Sequence, residues 1–93
     1  MTATGHIART TSVKNELGMH ARPASKIAAI AQQANSQVLL CVNSHKVDAA
    51  SILDILSLGA AKGTRIKIEI ENKKDLKVLE QLIVFFENGF GED

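Results

Sequence analysis

One histidine stands where histidine is a poor local choice. Within Gly18-Met19-His20-Ala21-Arg22-Pro23-Ala24, Pro23 fits the first turn of a helix, because the amide it lacks would have no intrahelical partner there. The helix must then begin just before Pro23, which puts His20 at or next to its N-cap. Ser, Thr, Asp and Asn are the preferred caps, so a histidine there asks for another reason. A helix start presents unpaired N–H groups and the equivalent of about half a positive charge, a ready site for a phosphate. The same positive end disfavours imidazolium and leaves the ring nucleophilic. Arg22, two residues on, carries a planar fork suited to phosphoryl oxygens. Gly18 supplies backbone freedom where a strand turns sharply into the helix. Together these types point to phosphoryl transfer through an imidazole. A plainer reading stays open on these residues alone: His20 merely caps the helix, Arg22 is solvated and Gly18 serves a turn.

The remaining candidates for chemistry are less pointed. Ser51-Ile52-Leu53-Asp54 reads as an N-cap with a capping-box variant, and needs no further role to be explained. His6 near a strand start and His45 in a hairpin turn have no plausible ligand partner beside them, so both read as solvated surface. Cys41 reads as a small hydrophobe on the outer face of its strand. A single cysteine forms no intramolecular disulfide and supplies no cysteine metal cluster, and separately neither a metal nor a cofactor is expected.

These residues need elements to position them. Four alternating stretches and three helical ones follow one another without a linker or repeat. Residues 65–71, Arg-Ile-Lys-Ile-Glu-Ile-Glu, alternate with period two, so one face is buried and the other wet, as in an antiparallel sheet. Residues 37–43 are greasier, with Val38, Leu40 and Val42 on one face and Leu39 and Cys41 on the other. A turn through Asn43-Ser44-His45 leads to a short strand near residues 46–49. The first strand, about residues 7–13, barely alternates.

Ile27, Ile30, Ala31 and Ala34 recur at helical spacing over residues 23–34. A short helix runs over residues 51–58 and stops at Gly59. The last helix begins at Asn72 as N-cap with Asp75 in a capping-box-like place. Leu76, Leu79, Leu82, Ile83 and Phe86 form its stripe. Asn88-Gly89 closes it, with Phe90 set to make the apolar contact that accompanies a left-handed C-cap. Strand, helix, strand, strand, helix, strand, helix is an α+β pattern with the helices stacked on one sheet face.

Composition narrows the classes. Residues 1–93 read as a single domain, since one core typically organises about 100–150 residues. Hydrophobic residues at 45% and charged ones at 23% exclude disorder. Eleven Lys and Arg against ten Asp and Glu leave +1, no drive towards nucleic acid or an anionic membrane. Aromatic residues are 3%, all Phe, which lacks the Tyr and Trp that stack on bases. Apolar runs fall far short of the roughly 20 residues of a membrane span, and the opening MTATGHIARTT has no apolar signal core, so no membrane insertion and a cytoplasmic location are expected.

Gly18-Met19-His20-Ala21-Arg22-Pro23-Ala24-Ser25 resembles the active-site motif of HPr, the histidine phosphocarrier of the bacterial phosphotransferase system. The likeness extends to Ser51-Ile52-Leu53-Asp54-Ile55-Leu56-Ser57-Leu58-Gly59, the family's second signature, and to the Ala61-Lys62-Gly63 turn. The stretch Asn15-Glu16-Leu17-Gly18-Met19-His20 and the tail from Phe86 are similar to NPr, the paralogue of the nitrogen-related branch. The resemblance implies an open-faced β-sandwich. Its four-stranded antiparallel sheet has spatial order 1-4-2-3 and is covered on one face by three helices.

The resemblance also implies that His20 accepts a phosphoryl group on Nδ1 from enzyme I, itself charged by phosphoenolpyruvate. His20 then donates it to a histidine of an enzyme IIA, while Arg22 neutralises the phosphoryl oxygens. Gly18 and Pro23 shape the site, and the protein is a carrier rather than an enzyme, monomeric when free. Leu17, Met19, Ile52, Leu53 and Leu56 fall near the family's docking patch. Met19, Ile52 and Leu53 are the expected contacts, although an apolar stripe on a short helix, read without the family, is core. Ser51 matches the position that an HPr serine kinase marks in many Gram-positive bacteria, with Ala50 where Lys, Arg, Asp or Asn usually precedes it. Three rivals stand beside the sugar-transport carrier: an NPr-type regulatory carrier, a non-covalent binding module, and a regulator acting through phosphorylated Ser51.

Overall fold

The computed structural model of the chain describes residues 7–92. Strands β1 (Ile7–Ser12), β2 (Val38–Val42), β3 (His45–Asp48) and β4 (Arg65–Ile70) form one sheet in the order β1-β4-β2-β3, every pair antiparallel. Helices α1 (Ala21–Ala31), α2 (Ile52–Ser57) and α3 (Leu76–Glu87) complete the open-faced sandwich. His6 lies outside the described residues.

Register explains the core. Ile68 of β4 faces Arg9 on one side and Leu40 on the other, and Ile70 faces Ile7 and Val38. Alternate residues of the sheet therefore point to one face, where Ile66, Ile68, Ile70, Val38, Leu40 and Val47 are buried with Ile27, Ile55, Leu79, Leu82 and Phe86 of the helices. The weak alternation of β1 has a physical reason. Its two polar residues on the helix-covered face, Arg9 and Thr11, are answered by α3: Arg9 donates to Glu80 at 3.0 Å and Thr11 to Glu87 at 2.6 Å.

The uncovered face departs from the expected wet side at one point. Glu69 of β4 is buried. Burial pushes its carboxyl up, but hydrogen bonds and charge from Lys67 and Lys46, at 3.3 and 3.4 Å, outweigh this and hold it below the usual range. Beside it Cys41 is buried on the same outer face, and burial pushes its thiol up.

Three local expectations are corrected. The first helix begins just before Pro23 as expected but ends at Ala31 rather than residue 34, and Ile30 and Ala34 are only half-buried. The last helix is preceded by a 3₁₀ turn, Lys73–Asp75; Leu79, Leu82, Ile83 and Phe86 of the expected stripe are buried, but Leu76 at its edge is exposed and Val78 on the opposite edge is buried. Asn72 does cap, its side chain accepting from the Lys74 amide at 2.9 Å, but Asp75 does not reach back to complete a capping box. Asp75 is instead turned inward, where it accepts from the backbone amides of Asn35 at 2.7 Å and Ser36 at 3.0 Å. His45 opens β3 rather than sitting in the turn, and is exposed.

Candidate functional site

The segment between β1 and α1 is held to the body of the protein by its backbone. Met19 N donates to Ala60 O at 2.8 Å, and Gly18 has φ +71°. A Cβ on Gly18 would lie 2.9 Å from Ala60 O and 3.1 Å from Ala61 Cα, so a side chain is excluded by space as well as by conformation. Met19 packs half-buried against the core, which sets the direction of the residue that follows it.

His20 is the N-cap of α1, with φ −138° and ψ −174° and no side-chain cap bond. Its carbonyl accepts from Ala24 N at 3.0 Å, so the helix begins at Ala21. The amides of Ala21 and Arg22 belong to the first turn, where no earlier helical carbonyl exists to receive them, and Pro23 has no amide to leave unpaired. Pro23 is buried while Arg22 is exposed.

The imidazole has a partner that sequence reasoning missed. His20 Nε2 lies 2.8 Å from Glu92 Oε2. The other oxygen of Glu92 accepts from Asn15 Nδ2 at 2.8 Å, and the same amide nitrogen donates to Gly18 O at 2.9 Å. Asn15 is buried. Glu92 loses water in this position, which raises its carboxyl, but the hydrogen bonds from Asn15 and His20 and the charge of Arg22 win, and it stays ionised below the usual range. The signals in the sequence for Glu92 are its place in the NPr-like tail from Phe86 and the Gly89-Phe90-Gly91 run that turns the chain back after α3.

Leu17, His20, Arg22, Glu16, Gly91 and Glu92 line one open cleft. Lys62 is paired with Glu16 at its rim. No group of three or more His, Cys, Asp or Glu residues able to hold a metal occurs among the described residues.

The second predicted cluster is on α2, which packs against α1 but contributes no side chain to the cleft. Ser51 is the N-cap of α2 and accepts from Asp54 N at 3.2 Å. The Asp54 carboxylate turns to the Asp48 amide at 3.3 Å, so the capping box is half-formed. Of the five apolar candidates, Leu17 (75% exposed), Leu53 (79%) and Ile52 (40%) stand in solvent. Met19 and Leu56 are half-buried against the core, as a packing role requires.

A family model described as "PTS HPr component phosphorylation site" matches residues 7–88. The chain belongs to the HPr family of phosphocarrier proteins. Among relatives, phosphocarrier protein NPr of Klebsiella oxytoca is 38% identical over 88 residues, covering 94% of this chain and 98% of that protein. Phosphocarrier protein HPr of Cupriavidus necator is 33% identical over 84 residues, covering 90% and 94%. Among solved structures, HPr-C-His from Thermoanaerobacter tengcongensis superposes with a TM-score of 0.76 at 34% identity, covering 94% of this chain and 98% of that one. Both HPr signatures, at His20 and at Ser51, therefore sit in a recognised HPr fold, and the strand order expected from the resemblance is the one observed. The relatives' names describe phosphocarriers rather than enzymes in the ordinary sense. No helix among the described residues is long and apolar enough to cross a membrane.

Proposed function

We propose that the protein carries a phosphoryl group on His20 Nδ1, taking it from phosphorylated enzyme I and passing it to a histidine of an enzyme IIA in the cytoplasm. One observation carries this reading: His20 holds the N-cap of α1 without spending its side chain on the cap. The ring and the first-turn amides are both left for a ligand, and since Nε2 is engaged by Glu92, Nδ1 is the nitrogen with a lone pair to give. In loading, the donor N–P bond breaks with its electron pair returning to the donor nitrogen, and Nδ1 forms the new N–P bond. Unloading reverses this towards the acceptor histidine. Arg22 and the amides of Ala21 and Arg22 meet the phosphoryl oxygens, where positioning and charge do most of the work of phosphoryl transfer.

Leu17 at the cleft and Ile52 and Leu53 on α2, all exposed, are the contacts that exclude water while partners dock, with Met19 and Leu56 half-buried against the core behind them. Ser51 is the candidate for regulatory phosphorylation by an HPr serine kinase. A phosphate there would set a dianion next to Ile52 and Leu53 and oppose docking. An NPr-type regulatory carrier is the second reading, favoured by the likeness of residues 15–20 and of the tail from Phe86 to NPr.

Incubation with enzyme I and phosphoenolpyruvate tests the proposal. The expected result is a gain of one phosphoryl unit on His20, acid-labile and absent from His20→Gln. No gain at that side chain removes the carrier reading, and undiminished partner binding by His20→Gln with no label in the wild type supports a non-covalent module. Preferred transfer to a sugar-specific enzyme IIA or to a nitrogen-branch one separates the two carrier readings.

A further inference from the structure

After α3 the chain does something expensive. Gly89, Phe90 and Gly91 adopt φ of 60°, 61° and 75° in succession. Glycine accepts such angles freely, but a left-handed phenylalanine carries strain that persists only where its surroundings over-determine it. Phe90 is so determined: it is 4% exposed, with its ring centroid 5.0 Å from that of Phe86 and 5.1 Å from that of Phe85. The wedged ring turns the backbone, and two residues later Glu92 reaches Asn15 and His20.

A second cost is incurred at the same place. Both neighbours of Asn15 Nδ2, Gly18 O and Glu92 Oε1, are acceptors, so the amide has one workable orientation. That orientation leaves Asn15 Oδ1 buried without a hydrogen-bond partner among the described residues. An unpaired buried oxygen and a strained backbone both act against folding. They converge where a carboxylate is aimed at the imidazole.

We propose that Asn15, Glu92 and the Phe90 wedge form a positioning relay for His20. Glu92 accepts the Nε2–H, which fixes the tautomer and the plane of the ring, Asn15 holds Glu92, and Phe90 delivers it. The inference rests on His20 being the phosphoryl acceptor. When Nδ1 bonds to phosphorus, its lone pair is committed and the ring becomes a cation with its proton still on Nε2. The carboxylate of Glu92 neutralises that charge without taking the proton. On unloading, the N–P electron pair returns to Nδ1 and the Nε2 proton has not moved. The other charged groups of the cleft are Arg22 and Glu16, the latter paired with Lys62. Glu92 alone of these makes a hydrogen bond to the ring among the described residues.

Ring ¹⁵N chemical shifts of His20 in the unphosphorylated full chain test this directly. The wild type should show the Nε2–H tautomer, and Glu92→Ala a mixture of both. Glu92→Gln keeps an acceptor but no charge, and should largely retain the tautomer while losing roughly tenfold or more in the rate of phosphoryl uptake from phospho-enzyme I. Phe90→Ala should reproduce the Glu92→Ala spectrum, and thermal melts report whether each variant is folded. Identical tautomer populations in the wild type and a folded Glu92→Ala overturn the relay, even if both take up phosphate on His20. A tautomer shift in a wild type that takes up no phosphate supports the ring geometry and removes the carrier reading instead.

Discussion

Asp75 Oδ1 lies 2.7 Å from the backbone nitrogen of Asn35, across 40 residues of chain. Its other oxygen accepts from Ser36 N at 3.0 Å, and Asn35 Nδ2 adds a third bond at 3.0 Å. A buried carboxylate thus ties the segment after α1 to the entrance of α3, satisfying amides that neither helix nor sheet receives.

Asp75→Asn should destabilise the fold by about 1–3 kcal/mol, because one acceptor becomes a donor facing donors. The Asn35 and Ser36 amides outweigh burial and hold the Asp75 carboxyl below its ordinary range. Its contribution to stability is therefore complete above about pH 4, the ordinary carboxylate value, and is lost as pH falls through the lower folded value. Denaturant melts across acidic pH should show wild-type stability falling there, and the variant should lack this component of the fall.

Gly18→Ala should cost about 1–3 kcal/mol from its left-handed conformation alone, with the contact at 2.9 Å to Ala60 O adding to it. Since Met19 N must remain on Ala60 O for His20 to hold its place, phosphoryl uptake should fall along with the melting temperature. Unchanged melting would show that the loop relaxes freely.

Arg22→Ala should leave stability within about 0.5 kcal/mol, since the side chain is exposed, yet slow phosphoryl uptake roughly 10–100-fold. Arg22→Lys should recover part of the rate, keeping the charge without the planar fork. Initial rates of transfer from phospho-enzyme I measure both, and a full rate in Arg22→Ala would remove the residue from the site.

Leu53→Glu removes a side chain that is 79% exposed and should leave the melting temperature nearly unchanged. If Leu53 is a docking contact, transfer to enzyme IIA should slow while the label on His20 remains attainable at long incubation. Leu56→Glu should unfold the protein in part, because Leu56 packs against the core.

Much of this protein was legible in its chain order. Pro23 and the unpaired amides of a first turn dictate a helix start at His20, and the period-two pattern of Arg65–Ile70 dictates a half-buried strand. Each is a local rule acting within a few residues. What local rules assign, they assign without partners: they place Asp75 in a capping box with Asn72, whereas the amides it meets lie on another loop. Leu76 shares the helical spacing of Leu79 and Ile83 in sequence, but how far α3 is rolled on the sheet leaves it exposed and buries Val78 at the opposite edge of the stripe.

The sequence by itself determined the elements, the family and the nucleophile at a helix mouth, because caps, periodicity and proline act over one or two turns. Only the tertiary structure decided that Glu92, 72 residues from His20, engages its Nε2, and that Asn15 steadies it. A carboxylate carries no mark of the distant donor it will meet. That pairing arises when the Phe90 wedge, the β1-to-α1 loop and the end of α3 converge, and convergence is a property of packing rather than of any stretch of chain.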